Sequence, residues 1–141
     1  MFEKILVCLD GSSLAEQILP YAVEVAQRFS SRIILLQVVP PSSVSTGVDN
    51  TVEVFAPAKA YLERMAQPLR DAGLDVECVT LLETPGQAII SYANKSGAGL
   101  IAIATHGRGG LGRVMFGSVA DFVLRESRLP VLMIRPQHTK A

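Results

Sequence analysis

Five short aliphatic runs divide this chain, at residues 5–9, 33–39, 76–82, 100–104 and 131–134, with helically spaced segments between them. The runs are rich in Ile, Val and Leu and show little polar alternation, which is how strands covered on both faces read. Parallel strands need long crossovers, and a helix is the crossover that buries the sheet face beneath it. The alternation therefore predicts an α/β fold, a doubly wound parallel sheet with helices on both faces. A length of 141 residues fits a single domain, 1–141.

The helical segments carry start and stop signals. Ser13 followed by Glu16 reads as a capping box, and Leu14, Ile18, Ala22, Val25 and Phe29 repeat at helical spacing. Pro20 falls inside that segment and predicts a kink, because proline removes an intrahelical bond. Ala58, Tyr61, Leu62, Met65, Leu69 and Ala72 share one face of a second helix, with Pro68 as an irregularity and Gly73 as its C-terminal cap. Thr84-Pro85-Gly86-Gln87 opens a third helix with a capping box and proline at its first position. A fourth begins near Ser118 and ends before Pro130. Residues 40–52 are rich in Ser, Thr, Gly and Asn without periodicity, which predicts a mobile loop, and 137–141 read as a tail.

Composition narrows the partners. Acidic and basic side chains balance at 13 each, unlike a strongly basic nucleic-acid binder. No apolar run approaches the roughly 20 residues that cross a bilayer. The start runs directly into a strand-like segment, without the longer apolar stretch of a signal peptide, so the expected location is the cytoplasm. Cys8 and Cys78 lie far apart inside strand-like runs, without metal spacing, and read as core thiols.

Ligands of doubly wound sheets bind beyond the carboxyl ends of the strands, where strand order reverses. The loops after strands one and four therefore matter most. Asp10-Gly11-Ser12-Ser13 follows strand one. A carboxylate there can accept hydrogen bonds from two ribose hydroxyls, although the same residue types also suit an ordinary turn before a helix. After strand four, four glycines fall within the six residues 107–112, and Gly117-Ser118 precedes a helix. Glycines let backbone amides approach a phosphate, and a helix N-terminus adds amides and partial positive charge. A surface loop also uses glycine, and Ser118 stands where either an N-cap or a phosphate ligand would. The loop lacks the Gly-Lys-Ser/Thr of a Walker A motif, and a dinucleotide fingerprint would follow the first strand.

From residue 5 through 136 the chain resembles the universal stress protein family. That family's nucleotide motif, Gly-x2-Gly-x9-Gly-Ser/Thr, is met by Gly107, nine intervening residues and Gly117-Ser118. Thr105-His106-Gly107-Arg108, Pro130-Val131-Leu132 and Asp10 are also similar to the family. Ala104 departs from it, standing where the motif's first glycine would fall, and its methyl would project near the nucleotide.

The resemblance implies a five-stranded sheet of order 3-2-1-4-5 and a stress-response regulator that binds an adenine nucleotide, ATP foremost. By it, Asp10 would hold the ribose and Val38 would pack on adenine. Ile103 and Ala104 would border the ribose and phosphates, and Gly107, Gly117, Ser118 and Val119 would surround the phosphates. From the residues alone, Val38 and Ile103 read first as strand core. His106, Arg108 and Arg113 are further candidates for phosphate contacts. AMP or a cyclic adenine nucleotide, favoured by Ala104, is an alternative ligand, and a protein-interaction module or a slow ATPase are alternative functions. With no conspicuous base, paired carboxylates or Walker lysine, no catalytic residue is expected and hydrolysis would be very slow at most. Mg2+ would be held by phosphates and water. A regulatory protein partner is expected, but no nucleic acid. Val131, Leu132, Met133 and Ile134 are all apolar and would form an edge strand, which predicts a homodimer paired through that edge.

Overall fold

The computed structural model describes residues 1–43, 51–105 and 115–137, with backbone alone at 51–53 and 115–116. All five aliphatic runs are strands: β1 (Lys4–Leu9), β2 (Arg32–Val39), β3 (Val76–Leu82), β4 (Leu100–Ala104) and β5 (Val131–Ile134). They form one sheet of order β3-β2-β1-β4-β5, with every neighbouring pair parallel. Four helices connect them: α1 (Leu19–Phe29), α2 (Thr51–Asp71), α3 (Pro85–Ser96) and α4 (Met115–Glu126). The chain steps one way from β1 to β3 and the other way from β4 to β5. Right-handed crossovers then put α1 and α2 on one face, α3 and α4 on the other. No helix among the described residues is long and apolar enough to cross a membrane.

β1 lies between β2 and β4, so that Val7 is paired with both Leu35 and Ala102. Residues 5–9 of β1, 33–36 of β2 and all of β4 are buried. The two edge strands differ from the expectation of burial on both faces. β5 is half-buried throughout, and so is β3 after Val76, because both lie at the margins of the helix layers. Distant backbone joins near the start of the sheet. The Gly99 amide donates to the Lys4 carbonyl at 2.9 Å, and the Lys4 ammonium donates to the Ser96 carbonyl at 2.9 Å. At the other end, the Gln17 carboxamide acts as a surrogate strand for the chain after β5. Its Nε2 donates to the Gln137 carbonyl at 2.7 Å and its Oε1 accepts from the Gln137 amide at 2.9 Å.

The helix starts differ from the sequence expectations in instructive ways. Residues 15–18 form a 3-10 turn, and α1 begins only at Leu19. Pro20 therefore sits in the first turn, where its missing N–H breaks no helical bond and no kink follows. Ser13 makes no capping bond. The Ser12 hydroxyl takes the Ala15 amide instead at 3.2 Å. Thr84 does precede α3, with Pro85 at its start, but its side chain makes no capping bond either. α2 begins at Thr51, inside the expected loop, and contains both Pro57 and Pro68. Residues 41–43 of that loop form a 3-10 turn, and 44–50 lie outside the described residues. Ala72 is exposed beyond the end of α2, and buried Ala66 takes a place on its inner face. Gly73 ends α2 as expected. Its φ of +93° is the left-handed conformation that a Cβ disfavours, and it lets the Leu74 amide return to the Leu69 carbonyl.

Leu6 is fully buried in the middle strand. Leu6→Ala should therefore destabilise the protein by about 2–5 kcal/mol, the usual range for a buried leucine truncated to alanine. Urea unfolding monitored by circular dichroism measures this. A loss of under about 0.5 kcal/mol, the size of an ordinary surface substitution, would contradict the central placement of β1.

Candidate functional site

Where β1 stops, the chain must turn off the sheet toward α1. Gly11 makes that turn possible with a φ of +89°. The Asp10 carboxylate fixes it, since Oδ1 accepts from the Ser12 amide at 2.9 Å and from the Ser12 hydroxyl at 2.6 Å. Asp10 thus makes the ordinary turn the sequence allowed, and it does so while exposed at the carboxyl end of the sheet. Glu16 does not reach back to cap the helix. It accepts a hydrogen bond from the Tyr61 hydroxyl of α2 at 2.7 Å, tying the turn to the second crossover. Burial, followed by that bond and the nearby charges of Glu16 and Asp10, pushes the Tyr61 phenol well above its ordinary range.

β1 and β2 end side by side, with Leu9 paired to Gln37. Beyond them, on the α3–α4 face, lies a cleft of about 230 Å³. Three of the sequence candidates meet there: Asp10 after β1, Val38 near the end of β2 and Val119 in α4. The wall also contains Cys8, Gln37 and Pro85, which sequence reasoning did not place there. Each carried a signal. Cys8 lies two residues before Asp10, hence on the same side of the strand. Gln37 is the polar interruption of an otherwise aliphatic run, and its Oε1 is buried without a hydrogen-bond partner among the described residues. Pro85 marks a helix start after a strand, at the end of the sheet where ligands bind.

The remaining candidates are distributed differently. Ile103 and Ala104 are fully buried in β4 and do not line the cleft. Ala104 pairs with Ile134 of β5, and its methyl is fully buried. Gly117 and Ser118 belong to the first turn of α4, which starts at Met115. Ser118 is therefore inside the helix and is not its N-cap. Gly107, His106, Arg108 and Arg113 lie outside the described residues. Val131, Leu132, Met133 and Ile134 form β5 at the edge of the sheet, away from the cleft. Among the described residues there is no group of three or more His, Cys, Asp or Glu arranged to hold a metal ion.

The two thiols occupy contrasting environments. Burial pushes the Cys8 thiol far above its usual range at the floor of the cleft. Cys78 is only half-buried on edge strand β3; burial raises it first, then the Glu63 charge, against the lowering effect of Arg70. A thiol-specific disulfide reagent at pH 8 should label Cys78 first and Cys8 only after the fold opens, since the thiolate is the nucleophile. Cys78→Ser should remove the fast phase, as followed by mass. Fast labelling of Cys8 would show that the cleft floor is open to solvent.

A family model described as the universal stress protein family matches residues 1–135. Three solved structures share the fold. A universal stress protein of Methanocaldococcus jannaschii has a TM-score of 0.84 at 26% identity, over 99% of both chains. A universal stress protein in complex with cAMP has a TM-score of 0.73 at 22% identity, over 96% of this chain and 98% of that one. One from Archaeoglobus fulgidus in complex with dAMP has a TM-score of 0.72 at 23% identity, over 96% of this chain and 100% of that one.

Proposed function

The chain belongs to the universal stress protein family, and we propose that it is a stress-response regulator that binds an adenine nucleotide, ATP foremost, at the carboxyl ends of β1 and β2. The observation that carries this reading is the convergence of Asp10, Val38 and Val119 on one cleft. The cleft borders the carboxyl end of β1, one of the two strands between which strand order reverses, and such a reversal is the usual ligand position in these sheets. The cAMP and dAMP complexes of the same fold support testing AMP and cyclic AMP beside ATP.

The roles follow from chemistry. Ser12 holds Asp10 Oδ1 and so orients the carboxylate; ribose hydroxyls donate to its other oxygen. Val38 offers apolar surface to the base, and Val119 lines the same cleft toward the phosphates. The first turn of α4 presents amides and a partial positive charge to phosphates, with Gly117 and the Ser118 side chain in that turn. The motif residue Gly107 belongs to the same reading. The described residues form no cation cage, and Mg2+ accompanying ATP is held by the phosphates and water. Occupancy is then the signal, because a ligand of the folded state stabilises it by about 2.7 kcal/mol at a hundredfold excess over Kd. A partner protein reads that change.

Titration calorimetry with ATP and magnesium, AMP and cyclic AMP tests the site. Saturable binding of at least one is expected. Asp10→Ala should weaken it about ten- to 150-fold, the equivalent of a charge-assisted hydrogen bond of roughly 1.5–3 kcal/mol. No heat and no thermal shift with any of the three would reject the site.

We further propose that the protein is a homodimer joined through β5. The Ile101 amide donates to the Pro130 carbonyl and the Thr105 amide to the Ile134 carbonyl. In a parallel ladder, Leu132 therefore turns its main-chain groups toward β4, while Val131 and Met133 turn theirs to the free edge. An apolar edge of that kind invites pairing with a second copy around a two-fold axis. Light scattering should give twice the 15.1 kDa chain mass. Met133→Pro removes an outward donor without touching the β4 ladder and should shift the protein toward monomer. A native protein that stays monomeric at high concentration refutes the dimer, and a folded variant that stays dimeric moves the interface elsewhere.

A further inference from the structure

We propose that Tyr61 and Glu16 are positioning residues for nucleotide binding: the contact between them ties the Asp10 turn to α2 and so aims the Asp10 carboxylate at the ribose. This inference rests on the reading of Asp10 as the ribose ligand. Neither Tyr61 nor Glu16 lines the cleft itself; both act through Ser12. The Tyr61 hydroxyl donates to Glu16 Oε2 at 2.7 Å, and the Glu16 amide donates to the Ser12 carbonyl at 3.3 Å. The Ser12 amide and hydroxyl in turn donate to Asp10 Oδ1 at 2.9 and 2.6 Å. The Ser12 hydroxyl has one proton to give; with that proton on Asp10, its oxygen accepts from the Ala15 amide. Oδ1 thus carries the relay, and the ribose hydroxyls go to the other oxygen.

Such a turn needs a fixed far end. Its near end is held by the β1 ladder, where Leu9 pairs with Gln37. Next comes Gly11 at its φ of +89°, and glycine has the widest backbone freedom of any residue. Beyond Gly11, buried Ala15 and Ile18 anchor the chain by apolar packing, which is non-directional. The Tyr61–Glu16 hydrogen bond supplies the direction. Tyr61 is itself well held. The residue is buried, and the Arg64 guanidinium lies 5.9 Å from its ring centroid, within cation–π range. Burial raises the phenol far above its ordinary range, so the hydroxyl keeps its proton and stays a donor. A phenylalanine would serve the same packing; the hydroxyl serves the turn. Without that bond a smaller fraction of molecules has Asp10 correctly aimed, and the apparent affinity falls by that fraction.

Calorimetry tests this with ATP and magnesium, AMP and cyclic AMP, each beside its analogue without free ribose hydroxyls (2′,3′-dideoxy-ATP, 2′,3′-dideoxy-AMP and 2′-deoxy cyclic AMP). The ratio of the two affinities reads the aim of Asp10, whereas a general loosening of the fold weakens both forms alike. The native protein should prefer the hydroxylated form of its ligand about tenfold, a difference of about 1.4 kcal/mol. Tyr61→Phe keeps the ring and should cut that preference to about threefold or less, while the affinity for the analogue moves by less than about twofold. Glu16→Ala should do the same, and Glu16→Gln, which keeps an acceptor oxygen, should restore most of the preference. Thermal melts establish that each variant is folded. An undiminished preference in folded Tyr61→Phe overturns the inference and leaves the nucleotide reading standing. So does an equal loss of affinity for both forms, because the contact would then serve stability alone. A native protein that binds nucleotide without preferring the hydroxylated form refutes the ribose role of Asp10 and this inference with it. Failure of every probe rejects the nucleotide reading itself, and the inference falls with its premise.

Discussion

The ladder that joins β1 to β4 is the contact on which this molecule depends. It links two strands 95 positions apart in register, Ile5 and Leu100, and holds together the halves that wind in opposite directions. Because α1 and α2 leave one face and α3 and α4 the other, no crossover helix among the described residues covers the carboxyl ends of the sheet near this join. Backbone that ends there must be satisfied locally. The Asp10–Ser12 turn does so with a side chain that stays in contact with solvent. The cleft is a by-product of how the sheet is wound, and the residues beside it inherit its chemistry.

Much of this was legible in the sequence because burial leaves a direct mark. A strand covered on both faces has almost no choice but Ile, Val, Leu and Ala, so 100–104 was delimited without error, and the apolar run 131–134 matched β5 although that strand is only half-buried. The order of the strands was a different matter. Periodicity is blind to which strand lies beside which, and the order came from family resemblance. Helix starts were least legible, since they turn on competition between neighbouring hydroxyls. Ser12 and Ser13 are chemically equivalent, and only the Asp10 carboxylate decides between them. Pro20 misled for a related reason, because the 3-10 turn at 15–18 moves the helix start past the apparent cap.

Of the candidate site, Asp10 was read from the residues at a strand end, while Val38 and Val119 came from the family resemblance; the three line one cleft. Cys8, Gln37 and Pro85 were missed because each has an unremarkable explanation in its own element. Their grouping arises only when β1, β2 and α3 end at a common level. The resemblance put Ile103 and Ala104 at the border of the ribose and phosphates, and both are fully buried in β4.

The Gln17 clamp on the chain after β5, and the Lys4 contacts with Ser96 and Gly99, bear on the order in which the protein is made. β1 is translated first, yet the neighbour on one of its sides leaves the ribosome some 90 residues later. Until then the central strand has an apolar edge with nothing to pair. Such long-range contacts raise contact order and slow folding. A nascent chain stopped before β4 can assemble β1, β2 and β3 but exposes the middle of the sheet as its border. The sheet closes around β1 only when β4 is added at its side.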